Sequence, residues 1–215
     1  IIVQTPYNKY ISLNGIYFSV YGTRLIDGGI CNNNIISHNT IKGYDSVWCY
    51  TIQMMGNNNL AINNTVSGGS IGISSAGTNN QIINNTIHAT ETGISAGTQN
   101  KIIGNIINLN DNAIGISASS NNCTIKNNTI TTTNRPWISV SSSNNLIENN
   151  IITTQTGYGI SIEKSSTNNN ISNNTINTQS TGIFFKQQSI KNKPTNNTLI
   201  NNNIDTTSLD RKSVV

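Results

Sequence analysis

Apolar residues along this chain come in runs of two to four that alternate with a period of two, and no run keeps a helical period. The runs are rich in Ile, Val and Thr, whose branched side chains suit a pleated strand. The stretch 121–143, NNCTIKNNTITTTNRPWISVSSS, shows the unit: the short runs CTI, TI and WISV, divided by Asn-rich corners. Strands this short cannot hold together as an isolated hairpin. They are predicted to stack on copies of themselves, each coil touching only its neighbours.

The copies are legible. The hexamer IKNNTI at 125–130 recurs as ISHNTI, AINNTV, IINNTI, IIGNII, IENNII, ISNNTI and LINNNI. Its fourth residue is always Asn: Asn39, Asn64, Asn85, Asn105, Asn128, Asn150, Asn174 and Asn202, at steps of 25, 21, 20, 23, 22, 24 and 28 residues. Three residues before each hexamer stands a second amide: Asn33, Asn58, Asn79, Gln99, Asn122, Asn144, Asn168 and Asn196. A Gly-Ile pair follows five of the hexamers, at Gly72, Gly93, Gly115, Gly159 and Gly182, with Trp137 in the same slot after a sixth.

Three strands and three corners in roughly 22 residues fit one coil of a parallel β-helix, with coils ~4.8 Å apart. The predicted fold is therefore all-β, a single-stranded parallel β-helix of about eight to nine coils. Asn at a corner tolerates a left-handed backbone. Stacked in register, the amides of Asn64, Asn85, Asn105, Asn128, Asn150 and Asn174 are expected to form a ladder along the rod. An inward column reads Ile73, Ile94, Ile116, Ile138, Ile160, Ile183; two residues on it reads Ser75, Ala96, Ala118, Val140, Ile162, Phe185, which predicts a core that widens toward the C-terminus. The outward residue between them is Ser74, Ser95, Ser117, Ser139, Ser161, then Phe184.

The pattern N-x-x-I-x-x-N-x-I followed by G-I-x-apolar, over about 29–205, resembles the Asn-rich parallel β-helix repeats of the NosD-like branch of the pectin-lyase-like superfamily. That resemblance implies a right-handed helix. It says little of activity, because the superfamily includes lyases, hydrolases, epimerases, phage tailspikes and adhesins.

The length is compatible with one domain: 1–30 as an N-terminal cap or first coil, 31–205 as the β-helix, and 206–215 as a tail or a truncated continuation. Residues 42–56 read as a decorated coil and 186–194 as an inserted loop. Asn and Ile exceed a third of the chain while charged residues are 9%. Such a composition also occurs in disordered tracts, but these do not keep Ile in register. The net charge of +4 is scattered without an aromatic-interleaved basic stripe, so nucleic acid is not an expected partner. No apolar run approaches a membrane span. Without an initiator Met or signal peptide, a fragment of a longer or processed chain is expected. The three Cys, at 31, 49 and 123, allow at most one internal disulfide and show no metal spacing; Cys123 is expected as a packed thiol. No metal or other cofactor is implied.

Sugar-chain hydrolysis requires two carboxylates flanking the scissile bond. Of the eight acids, no two of Glu91, Asp111, Glu148 and Glu163 share a column in adjacent coils, and the NTD, DD, GHG and RIK motifs of polygalacturonases are absent. No catalytic residue is assigned. Glu163 and Lys186 align on neighbouring coils and are expected to pair at the surface, while His38 and His88 show no evident partner. Trp137, Tyr158 and Phe184 are the candidate binding residues, as aromatic faces for sugar rings. Packing beneath the 186–194 loop is the competing reading for Trp137 and Phe184. Sequons at Asn63, Asn84, Asn127, Asn170, Asn173 and Asn196 are candidates for N-glycosylation, and four of them share one column.

The leading expectation is a non-catalytic spike, fibre or adhesin segment. It would be extracellular, on a cell surface or on a virion, and recognise a cell-surface glycan or receptor. It would stand alone, as a homo-oligomer such as a trimer, or within a larger surface assembly. The alternatives are a polysaccharide lyase or hydrolase and a periplasmic NosD-like accessory protein; the scarcity of His, Met and paired Cys speaks against copper handling by the latter.

Overall fold

A computed structural model describes residues 10–11, 26–27, 32–43, 50–89, 91–109, 113–134, 137–187 and 192–206. Every strand in it pairs in parallel with the equivalent strand one coil away. Three sheets result: sheet A with nine strands, and sheets B and C with eight each. One coil runs Thr124–Lys126 in sheet A, Thr129–Thr132 in sheet B and Ile138–Val140 in sheet C. The next coil repeats it as Leu146–Glu148, Ile151–Thr154 and Ile160–Ile162. Ile125 stands against Ile147, Ile130 against Ile152 and Ile138 against Ile160. On the N-terminal side, Tyr10–Ile11 pairs with Ile35–Ile36 in sheet A and Ile26–Asp27 with Ile52–Gln53 in sheet C. The expected early strand at 14–18, Cys31, residues 44–49 of the 42–56 coil with Cys49 among them, and most of the 206–215 tail lie outside the described residues, whereas Tyr50–Met54 is a strand of sheet C.

The period-two pattern places one aliphatic of each strand inside. Ile125, Ile130 and Ile138 are fully buried, as are Ile147, Ile152 and Ile160 one coil on. Burying each such side chain contributes roughly 1.5–3 kcal/mol relative to leaving it in water. The second column of sheet C is also inward: Ala118, Val140 and Ile162 are fully buried, and Phe185 packs half-buried against the core.

Two corners of each coil turn through a left-handed residue. One set is the second amide column, with φ of 57° at Asn58, 56° at Asn79, 62° at Asn122 and 61° at Asn144. The other immediately precedes the ladder asparagines: Asn63 at 55°, Asn84 at 53°, Asn127 at 57° and Asn173 at 57°. Gly104 fills that corner in one coil, at 67°. Asn, like Gly, adopts this region at little cost, which explains the composition.

Behind each left-handed corner lies a buried ladder. From Asn39 to Asn202, each Nδ2 donates to the Oδ1 of the next coil's Asn at 2.9–3.1 Å. Each rung does more than link to its neighbour. Asn128 Oδ1 accepts from both the backbone N–H and Nδ2 of Asn105, and Asn128 Nδ2 also donates to Ile102 O at 2.9 Å. A buried backbone N–H that has left the sheet ladder is thereby satisfied. A second ladder, one residue past the second amide column, runs through Asn34, Asn59, Asn80 and Asn100 and then Asn145, Asn169 and Asn197, with Cys123 taking one rung.

Candidate functional site

Sheet C carries the densest chemistry on its outer face. Its outward Ser column ends at Phe184, which stands in register with Ser161. The ring of Phe184 lies against that of Tyr158 from the preceding coil, with centroids 4.2 Å apart and planes 10° from parallel. Both rings are half-buried. Just past Ser161, Glu163 accepts a hydrogen bond from Ser161 Oγ at 2.9 Å through Oε1 and pairs through Oε2 with Lys186 Nζ at 3.1 Å. Glu163 and Lys186 meet because their strands are one coil apart. Lys186 is more than half exposed, so the pair contributes about 0–1 kcal/mol. Upstream, Ser95, Ser117 and Ser139 continue the face as half-buried hydroxyls, whereas Ser74 and Ser161, expected outward with them, are buried.

Trp137 corrects the sequence reading. It is 0% exposed, and its Nε1 has no hydrogen-bond partner among the described residues. It offers no face to a sugar. The Gly slot it occupies explains why. A Cβ built at Gly93 comes within 2.6 Å of Gly115 O and 2.7 Å of Ile107 Cγ2, so this slot points into the stack rather than away from it. The strand opens at Ile138 in this coil, as at Ile160 and Ile183 in the two coils after it, whereas the coils upstream open theirs one residue before the Gly, at Thr92 and Ile114.

The described acids do not converge. Glu148 lies on sheet A and pairs with Lys126 Nζ at 2.8 Å; Asp205 lies on sheet B; Glu163 lies just past sheet C, and Glu91 just before it. No group of three or more His, Cys, Asp or Glu that would suit a metal occurs among the described residues. The Lys126–Glu148 pair escaped the sequence reading, although aligning IKNNTI with IENNII puts the two residues in one column. His38, expected without a partner, has its Nε2 3.2 Å from Asn63 Nδ2 across one coil.

All six sequon asparagines are exposed. At Asn63, Asn84, Asn127 and Asn173 the asparagine is the left-handed corner itself, and the residue after it is the buried ladder rung. Cys123 is a free, buried thiol. Burial pushes it above its ordinary value, while a hydrogen bond from the Asn100 backbone N–H works in the opposite direction. Among the described residues no helix is long and apolar enough to cross a membrane.

The family model described as "right handed beta helix region" matches residues 71–212. No curated protein and no solved structure matches the chain.

Proposed function

The chain belongs to the right-handed β-helix family, and from that premise we propose that it is a non-catalytic rod that recognises a glycan on the outer face of sheet C. In this reading it stands outside the cell or on a virion, as a spike, fibre or adhesin segment. The observation that carries the reading is the Tyr158–Phe184 stack beside Ser161, Glu163 and Lys186. Two rings held face to face form a rigid apolar platform, and rings of this kind pair an apolar body with little entropy cost. The half-buried hydroxyls of Ser95, Ser117 and Ser139 along the same face supply hydrogen-bond partners for sugar hydroxyls, while the buried Ser161 is already engaged by Glu163. The charge of Lys186 is already matched by Glu163, so the face favours a neutral sugar over a uronate. The dispersal of the four described carboxylates, Glu91, Glu148, Glu163 and Asp205, over three sheets supports recognition rather than cleavage, which requires two carboxylates about 5–9.5 Å apart.

A glycan array followed by titration calorimetry tests this. Wild-type protein is expected to bind a neutral glycan, and Tyr158→Ala or Phe184→Ala to weaken it at least tenfold. No binding by wild-type protein to any glycan contradicts the reading. Release of reducing ends or unsaturated uronates would instead favour the hydrolase or lyase.

A further inference from the structure

The outer face of sheet B is built unlike the other two. Sheet A also shows outward aliphatics, among them Ile200 exposed at 45%, but carries Lys101, Lys126 and Glu148 near its middle, and sheet C carries the aromatic stack and an ion pair. On sheet B the first outward column is Thr or Ile in seven of its eight coils, and it contains Ile106 and Ile151, exposed at 47% and 49%. The second outward column carries a formal charge only at its ends, with the exposed His88 in its third coil. It begins with Lys42 and finishes with Asp205, both exposed.

We propose that this face pairs with the same face of a second copy of the chain, the two rods lying antiparallel about a two-fold axis. Eight strands place that axis between the fourth and fifth, Ile106–Asn108 and Thr129–Thr132. Counting outward from it, Lys42 of each copy faces Asp205 of the other, so both ends close with opposite charges. Ile106 falls opposite Thr129. A parallel arrangement would instead gather both Lys42 at one end and both Asp205 at the other, so the charges choose the antiparallel one. An isologous contact of this kind closes after two copies. Its centre is free of charge and its rim is charged, as in protein interfaces generally, and the end charges fix the register. β-Branched side chains are stiff at χ1, so ordering them costs little.

The size sets the strength. Seven steps of ~4.8 Å by three to four residues of ~3.3 Å give a footprint of roughly 400 Å² per copy. A total near 800 Å² belongs with transient contacts, not obligate ones. A weak, concentration-dependent dimer follows.

Sedimentation velocity of this chain up to about 1 mM, the range in which contacts of ~4 kcal/mol populate, reads the outcome. Wild-type protein is expected to move from monomer to dimer. Ile151→Lys is expected to raise the dimer Kd at least tenfold, because each change counts twice across a two-fold axis. Lys42→Asp and Asp205→Lys are each expected to weaken the dimer, and the double reversal to restore it. The substituted side chains are exposed, and circular dichroism checks that each variant is folded. Monomer at every concentration, a trimer, or a dimer indifferent to all of these changes overturns the proposal.

Discussion

Cys123 Sγ lies 3.0 Å from the carbonyl oxygen of Gly97, one coil back, as the Nδ2 of Asn80 lies 2.9 Å from Gly56 O. The thiol thus stands in for a ladder amide. It accepts from the Asn100 backbone N–H, donates to a carbonyl, and leaves its own backbone N–H to Asn145 Oδ1 at 2.8 Å.

Burial holds this thiol neutral in the native state, with its pKa above the ordinary 9.0. Unfolding releases it to titrate normally. Its contribution to stability is therefore complete below the unfolded pKa and is lost as pH rises from there through the folded one. Urea midpoints are expected to fall above about pH 9, and Cys123→Asn, which restores the amide rung, is expected to remove that component. At pH 7 the variant is expected to be within about 1 kcal/mol of wild type. In native protein a thiol reagent is expected to leave Cys123 unmodified until the chain opens.

Gly93→Ala tests the crowding in the Gly slot. Its Cβ would press on the backbone oxygen of Gly115 at 2.6 Å and on Ile107 Cγ2 at 2.7 Å. Backbone of a packed coil yields poorly, so a loss of about 1–3 kcal/mol is expected in chemical denaturation. By contrast, Asn127→Gly puts at one left-handed corner what Gly104 already supplies at another, and is expected to change stability by less than about 1 kcal/mol. Asn127→Val at the same corner is expected to cost about 1–2 kcal/mol.

Trp137 gives an optical test. The chain has two Trp, and Trp137 is fully buried. In a Trp48→Phe background, its emission is expected to be blue-shifted and shielded from acrylamide until unfolding. Trp137→Ala is expected to cost about 3–5 kcal/mol, without the selective loss of glycan binding expected for Tyr158→Ala.

Asn39 to Asn202 and Ile73 to Ile183 were readable because a stacked coil needs the same side chain at the same place every turn, and period-two burial does the rest. The Glu163–Lys186 pair followed from that same register. Three features were not readable, for different reasons. The second ladder lies one residue beyond the column from Asn33 to Asn196, and only φ separates the corner at Asn144 from the rung at Asn145. Trp137 was misplaced because a slot filled elsewhere by Gly reveals no side-chain direction. The stack of Tyr158 on Phe184 joins residues that are not register partners, so no column predicts it; only the lean of two rings across adjacent coils does.

Stacked side-chain amides that satisfy buried backbone donors hold the coils in parallel register, and hydrogen exchange of one amide tests this most directly. The backbone N–H of Asn128 donates to the side-chain Oδ1 of Asn150 at 3.0 Å, outside the strand-to-strand ladder. Its exchange is expected to be as slow as that of the core strands in wild-type protein, and to quicken roughly 10–100-fold in Asn150→Ala, as loss of a buried acceptor worth about 1–3 kcal/mol requires. Fast exchange of Asn128 in wild-type protein, or no change on removing Asn150, would contradict it.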